Sequence, residues 1–388
     1  MEEFRPKYFF VLMFPAVLVL PFPPIVSIIA LILALFNISI LAYAGEKKAK
    51  KNLLNPLLLI GILVFLLDGI TGILRDFSFE PFVRESRLSF LVIPLIFSNA
   101  YKTLKRLRLA IMTSFVIGLV GYILFSYGYL IYFYNYLTNR SFAINHYLKY
   151  DLTTNLPNAY HHTYLGLYLS FAILILLYYA YYDKKISVKI ALPLAFFLFV
   201  NQIFMGSKIT IVMSVLLFVF VLGHHHIIGT RKAILKGGIL LMALTALAIF
   251  FTSSLKKQGL LSTMDNSINF RVEAWQCATR LIGENAVLGW GRKNGANALD
   301  NCVATEMKGT HNQYLEEFLY YGIFGLWILF FFVIIWRKSS SDSLFRGLVA
   351  ILFILTFSEN IFSLQRGIIF IAFFTSLFYF GHFDPSER

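Results

Sequence analysis

The sequence predicts an all-α, polytopic membrane bundle of about 12 transmembrane helices with one large extramembrane loop that itself contains helices. Three observations carry this expectation. The chain of 388 residues is 58% hydrophobic and only 14% charged, and its mean hydropathy is +0.71. The apolar residues come in runs near the length of a membrane-crossing helix, and runs such as "GILLMALTALAIFF" (238–251) lack the alternation of a transmembrane β-strand. Phe (41) and Tyr (22) are abundant, which suits packed interiors and interfacial belts.

The expected spans are 8–21, 25–44, 53–74, 87–98, 109–133, 163–182, 188–205, 209–223, 237–252, 314–336, 344–361 and 367–381. The first is read as a retained helix. Pro21, Pro23 and Pro24 follow its apolar core, where a cleaved signal would need small residues. The chain accordingly divides into 1–252 with nine spans, a long polar loop 253–313, and 314–388 with three spans and the C-terminus. A second, shorter loop covers 134–162. Both keep aromatics, and loops of such length usually carry function.

The formal net charge of +14 is largely a topology signal. With the N-terminus in the cytoplasm, that side collects "EKKAKK" (46–51), "YKTLKRLR" (101–108), "YYDKK" (181–185), "TRKAILK" (230–236) and "RKSSS" (337–341). This clustering argues against a nucleic-acid partner. The "HHH" run (224–226) is read as a solvated loop and not as a metal site.

The remaining polar residues gather on the opposite face. Arg84 and Arg87 open the fourth span, His161 and His162 the sixth, and Lys208 lies in a short turn. Arg271 is in the long loop, His311 and Asn312 precede the tenth span, and Arg366 sits before the last. Any one of these cations has a snorkelling alternative. Their convergence implies a bound polyanion. Asp68 and Glu359 fall inside expected spans; they suit either a transporter or packing against polar neighbours.

"THNQ" (310–313) reads as a capping box with Thr310 at the N-cap, which puts His311 and Asn312 in the first helical turn. An anion is favoured there, and an imidazole is tuned to take a proton near neutral pH. Gly322 and Gly325, at i and i+3, suggest close approach of another helix.

At this point the chain resembles the bacterial O-antigen ligases, within the ligase and polymerase superfamily of lipopolysaccharide assembly. The family pattern of His, then Asn, Ser or Gln, nine residues, Gly, two residues, then Gly, Thr or Tyr is met by His311, Asn312, Gly322 and Gly325. "RESRL" (84–88) fits its Arg–x–x–x–Leu element, and "NFRVEAWQCATRLIGENAVLGWGRKNGA" (269–296) resembles its segment before the catalytic helix. "GSK" (206–208) departs from the family's Ser–Arg: Lys208 keeps the charge without the bidentate fork.

The resemblance implies a bacterial inner-membrane glycosyltransferase with its site and long loop in the periplasm. It would move a glycan from undecaprenyl pyrophosphate to a sugar hydroxyl of lipid A–core, without metal, nucleotide or other cofactor. His311 would be the base and Arg271, Lys208, Arg84, Arg87 and Arg366 the pyrophosphate cations, with Asn312, Gly322, Gly325, His161 and His162 in support. An O-antigen polymerase and a transporter of anionic lipid or polysaccharide are the alternatives. Cys277 and Cys302 are the chain's two cysteines. Both lie in the long loop, where an oxidising periplasm would let them pair.

Overall fold

A computed structural model describes residues 8–20, 24–45, 55–77, 85–133, 156, 161–205, 207–224, 262–303, 309–363 and 365–381. Among these the regular structure is entirely helical. The elements are α1 (Phe9–Val19), α2 (Pro24–Gly45), α3 (Pro56–Asp76), α4 (Glu85–Ser98), α5 (Tyr101–Tyr132), α6 (His162–Tyr181), α7 (Val188–Met205) and α8 (Lys208–His224). There follow α9 (Ser262–Glu284), α10 (Arg292–Cys302), α11 (Gln313–Tyr321), a 3-10 turn (Gly322–Leu326), α12 (Trp327–Lys338), α13 (Ser343–Thr356) and α14 (Gln365–Gly381).

Five stretches are long and apolar enough to cross a membrane: Pro56–Asp76, Tyr101–Tyr132, His162–Tyr181, Val188–Met205 and Gln313–Ser341. Shorter apolar helices occupy most of the other expected spans. The span expected at 237–252 lies outside the described residues. Helices α6 and α14 form the centre. Nearly every residue of both is buried, and an apolar helix buried on all sides has no polar face to show. Helices α5, α7, α8 and α13 pack around α6, while α4 and α5 pack against α14.

Polar side chains inside this bundle pair with one another. Gln202 donates to Ser170 Oγ at 2.8 Å and accepts from Ser214 Oγ at 2.7 Å, joining α7, α6 and α8. At the end of the bundle away from His311, Arg108 meets Asp342 at 2.6 Å, and its guanidinium lies 4.5 Å from the Phe378 ring centre. Asp342 also accepts the amide protons of Leu344 and Phe345, so the same carboxylate caps α13.

Two expected boundaries move. The basic segment "YKTLKRLR", read as a loop, is the first part of α5. Lys, Arg and Leu are strong helix formers, and Arg106 and Arg108 find partners in Tyr8 and Asp342. The span expected at 344–361 ends at Thr356, so Glu359 sits in a non-helical link.

The two polar helices α9 and α10 lie against α11, and α10 also packs on α3. Ala274, Ala278 and Leu281 recur at helical spacing and are buried. The stretch "NGANALDNC" is helical rather than extended. Cys277 of α9 and Cys302 of α10 are bonded, with Cα atoms 6.0 Å apart. Closing a loop of 25 positions contributes about 3–4 kcal/mol by chain entropy.

Intact-mass analysis after alkylation without reductant is expected to find neither cysteine modified; two alkylated thiols would contradict the bond. Cys277→Ser should leave α9 and α10 markedly more open to limited proteolysis than in the wild type.

Candidate active site

The centre of the site is one carboxylate. Glu359, 7% exposed, receives Arg271 Nη2 on Oε1 at 3.0 Å and faces His311 Nδ1 with Oε2 at 3.2 Å. Arg271 also donates from Nη1 to the Ser358 carbonyl at 3.1 Å. Three distant parts of the chain therefore meet: α9, the residue preceding the α11 cap, and the link between α13 and α14.

Each is held from both sides. His311 has φ +49°, the left-handed region that His visits more readily than most residues. Holding it there costs on the order of 1 kcal/mol, and its neighbours supply the restraint. The Trp275 indole N–H donates to the Thr310 carbonyl at 2.8 Å. Thr310 Oγ1 accepts the Asn312 amide at 3.1 Å and donates to the Asn312 carbonyl at 2.8 Å. Asn312 Oδ1 accepts the Leu315 amide at 3.2 Å.

The N-cap is thus Asn312, not Thr310, and His311 stands outside the helix rather than in its first turn. Asn ranks above Thr at this position, and the Thr310 hydroxyl is occupied by the turn. The imidazole's partner is therefore a side chain, Glu359, and not the helix dipole.

The link carrying Glu359 is fastened to α11 and α6. The Phe362 amide donates to Gln313 Oε1 at 2.8 Å, Ser363 Oγ to Glu316 Oε1 at 2.7 Å, and Tyr164 OH to the Asn360 carbonyl at 2.9 Å. Gln313 and Trp327 both donate to Glu317, at 2.7 and 2.9 Å. The buried acids of α11 hold the scaffold.

A further layer supports α10 and α11. Asp68 Oδ1 accepts the Tyr321 hydroxyl and lies 3.6 Å from Arg292 Nε. The Arg292 guanidinium is 5.3 Å from the Tyr320 ring centre. Burial works against the Arg292 charge, but Tyr321 and Asp68 outweigh it and raise its pKa well above the usual value. Asp68 is thus an internal tie between α3, α10 and α11. Asp76 caps α10, accepting the Lys293 and Asn294 amides at 3.1 and 3.0 Å.

The glycines act differently from the sequence expectation. Gly322 (φ +57°) ends α11, and a Cβ there would sit 2.5 Å from the Val287 carbonyl oxygen. Gly325 lies in the 3-10 turn against the Glu317 backbone of its own chain segment. They admit a turn, not a second helix, and the span expected at 314–336 passes through a 3-10 turn at this point while remaining one apolar stretch, Gln313–Ser341. Across that turn, Trp290 and Gly291 donate their amides to the Leu319 and Tyr320 carbonyls at 3.0 Å each, capping the end of α11.

The other expected residues fall as follows. His161 precedes α6 and His162 begins it, with ring centres 4.2 Å apart, and the charge of His161 acts on Glu359. Arg366 lies in the first turn of α14, where its carbonyl accepts the Tyr168 hydroxyl at 3.2 Å. Arg87 is in the first turn of α4 and Lys208 opens α8, but both side chains, and all of Arg84, lie outside the described residues. The sequence reading did not pair Glu359 with His311. Its one available signal was an acidic residue at the end of an apolar run on the same face.

Chemically, a carboxylate beside Nδ1 fixes the tautomer and stabilises the cation that forms when Nε2 takes a proton. Burial raises the Glu359 pKa. The hydrogen bond and charge of His311, with Arg271 and His161, outweigh that and hold it below the usual carboxylate value. A depressed folded-state pKa gives stability that is complete above the unfolded value and fades as pH falls through the folded one. The thermal-midpoint gap between wild type and Glu359→Gln is therefore expected to be full at neutral pH and to shrink below about pH 4. A gap unchanged on acidification would deny the ion pairs that role.

Gly289 has φ +69°, and a Cβ would stand 2.4 Å from the Tyr320 carbonyl oxygen. Gly289→Ala is expected to cost about 2–3 kcal/mol and to loosen the α11 cap. An alanine variant with wild-type thermal stability would contradict this packing.

Comparison with known proteins fits the site. Among curated proteins none matches the chain. The family model described as O-antigen ligase matches residues 163–330, which include Lys208, Arg271, His311, Gly322 and Gly325 and stop short of Glu359. Together with the apolar helices, the match points to a multi-pass membrane protein, and the matched family is a glycosyltransferase-like ligase and polymerase class. Over residues 163–330, the chain is thus similar to the O-antigen ligase family.

Proposed function

We propose that the protein is an O-antigen ligase that transfers a glycan from undecaprenyl pyrophosphate to a sugar hydroxyl of lipid A–core. The reaction takes place at the periplasmic face of the bacterial inner membrane and needs no metal. The observation that carries this reading is the bridge from Glu359 to both His311 and Arg271.

A sugar hydroxyl is a weak nucleophile until a base takes its proton as the bond forms. His311 is that base. Glu359 engages Nδ1 and leaves Nε2 to accept the proton. Arg271 holds Glu359 in place, and its remaining surface, 30% of the side chain, is turned to the donor. The leaving pyrophosphate gains charge as the glycosidic bond breaks. Lys208, Arg84, Arg87 and Arg366 join Arg271 in stabilising it. His161 and His162 support the same face. Asp68, which a transporter would need within its path, is instead tied to Tyr321 and Arg292.

His311→Ala is expected to abolish transfer by purified protein while expression is retained; near-normal turnover would refute the base assignment. Glu359→Gln should lower kcat roughly 10- to 100-fold, in line with losing a hydrogen bond of about 1.5–3 kcal/mol to a charged group. Deletion of the gene, followed by gel analysis of lipopolysaccharide, separates ligase from polymerase. Bare core with accumulated lipid-linked polymer supports the ligase; core carrying one repeat unit supports the polymerase.

A further inference from the structure

Val272, Trp275, Gln276, Thr279 and Arg280 line a shallow, open groove along α9. Their spacing places them on one face of the helix. Arg271, the residue before Val272, is the one that pairs with Glu359, so the groove starts within a turn of the site. Trp275 directs its indole N–H to the Thr310 carbonyl. The polar edge of the ring is therefore used beside His311, and its carbon surface lines the groove.

Thr279 donates its hydroxyl to the Trp275 carbonyl at 2.7 Å, leaving its methyl group outward. Val272 is 44% exposed. Gln276 supplies an exposed amide. Arg280 supplies a guanidinium whose Nη2 also contacts Cys302 Sγ at 3.0 Å. The described lining is thus an apolar strip with an aromatic ring, bordered by an amide and a cation. A sugar ring matches it: its C–H face packs on the indole, and its hydroxyl and phosphate groups meet the polar border. An acyl chain would leave Gln276 and Arg280 without a role.

We propose that this groove is the subsite for the acceptor saccharide, and specifically for an anionic one. The proposal rests on His311 as base. The attacking hydroxyl must arrive on the side of the site where the base stands, and Trp275 is fastened to the residue that precedes His311. Arg271, by contrast, faces Glu359. Arg280 gives the groove the sign that suits a phosphorylated core oligosaccharide. The strip is shallow and open to solvent, which suits a polar saccharide laid along the face of α9.

The test uses full-length protein in nanodiscs, with lipid A–core and lipid-linked glycan from the source cell as acceptor and donor. Thr279→Trp, which fills the groove, is expected to raise the acceptor KM about tenfold, and Gln276→Ala about threefold, with the donor KM unmoved. In parallel, delipidated core oligosaccharide is examined by saturation-transfer NMR against His311→Ala protein. Its ring protons should be saturated, and the signal should vanish when Thr279→Trp is added. A rise in donor KM instead would assign the groove to the donor glycan and overturn the proposal, as would unchanged acceptor KM in both variants or no saturation transfer. If Thr279→Trp fails to fold, Gln276→Ala and the binding measurement decide. Normal turnover in His311→Ala would sink the base reading and is scored separately from binding in the groove.

Discussion

One carboxylate, Glu359, joins three parts of this protein that are far apart in sequence. A buried acid without partners would lose its charge, and here it keeps the charge because Arg271 and His311 occupy its two oxygens. Each partner arrives from a different direction, so the position of one depends on the other two. Glu359 is set by the link after α13, and that link is set by Gln313, Glu316 and Tyr164. The arrangement is a small polar knot at the end of a hydrophobic bundle, and its geometry is only as good as the seating of α11.

Helix α11 is short, and both its ends are managed by other elements. Asn312 caps the front, and the Gly289–Gly291 turn caps the back through two backbone amides. That turn in turn leads into α10, whose first amides rest on Asp76 of α3. A chain of backbone donors therefore runs from the membrane-spanning part into the polar helices and back to the site. Glycine is required at 289 and 322 because two backbones touch there with positive φ.

Much of this was legible in the sequence. The helical class, most apolar elements, the pairing of Cys277 with Cys302 and the family resemblance follow from hydropathy, cysteine position and motif. What escaped was set by tertiary context. Asn ranks above Thr as a cap, but the capping-box spacing favours Thr310, and only the folded turn shows its hydroxyl to be occupied. The basic start of α5 resembles a loop by charge, yet is helical by propensity. The break at Gly322 hides inside a continuous apolar run, because hydropathy records burial and not backbone direction. Glu359 was visible only as an acid in a span; its meaning depends on contacts 48 and 88 positions away.

The buried charges also bear on how such a chain is made. Arg108 and Asp342 are 234 positions apart, and Asp68 lies 253 positions before its partner Tyr321. Synthesis delivers the early member of each pair to the membrane long before the late one exists, and an unmatched charge within a bilayer is costly. During that interval Arg108 must keep its head near the lipid surface, as long basic side chains do. The Arg108–Asp342 ion pair and the Asp68–Tyr321 hydrogen bond therefore close only once the last quarter of the chain has been made.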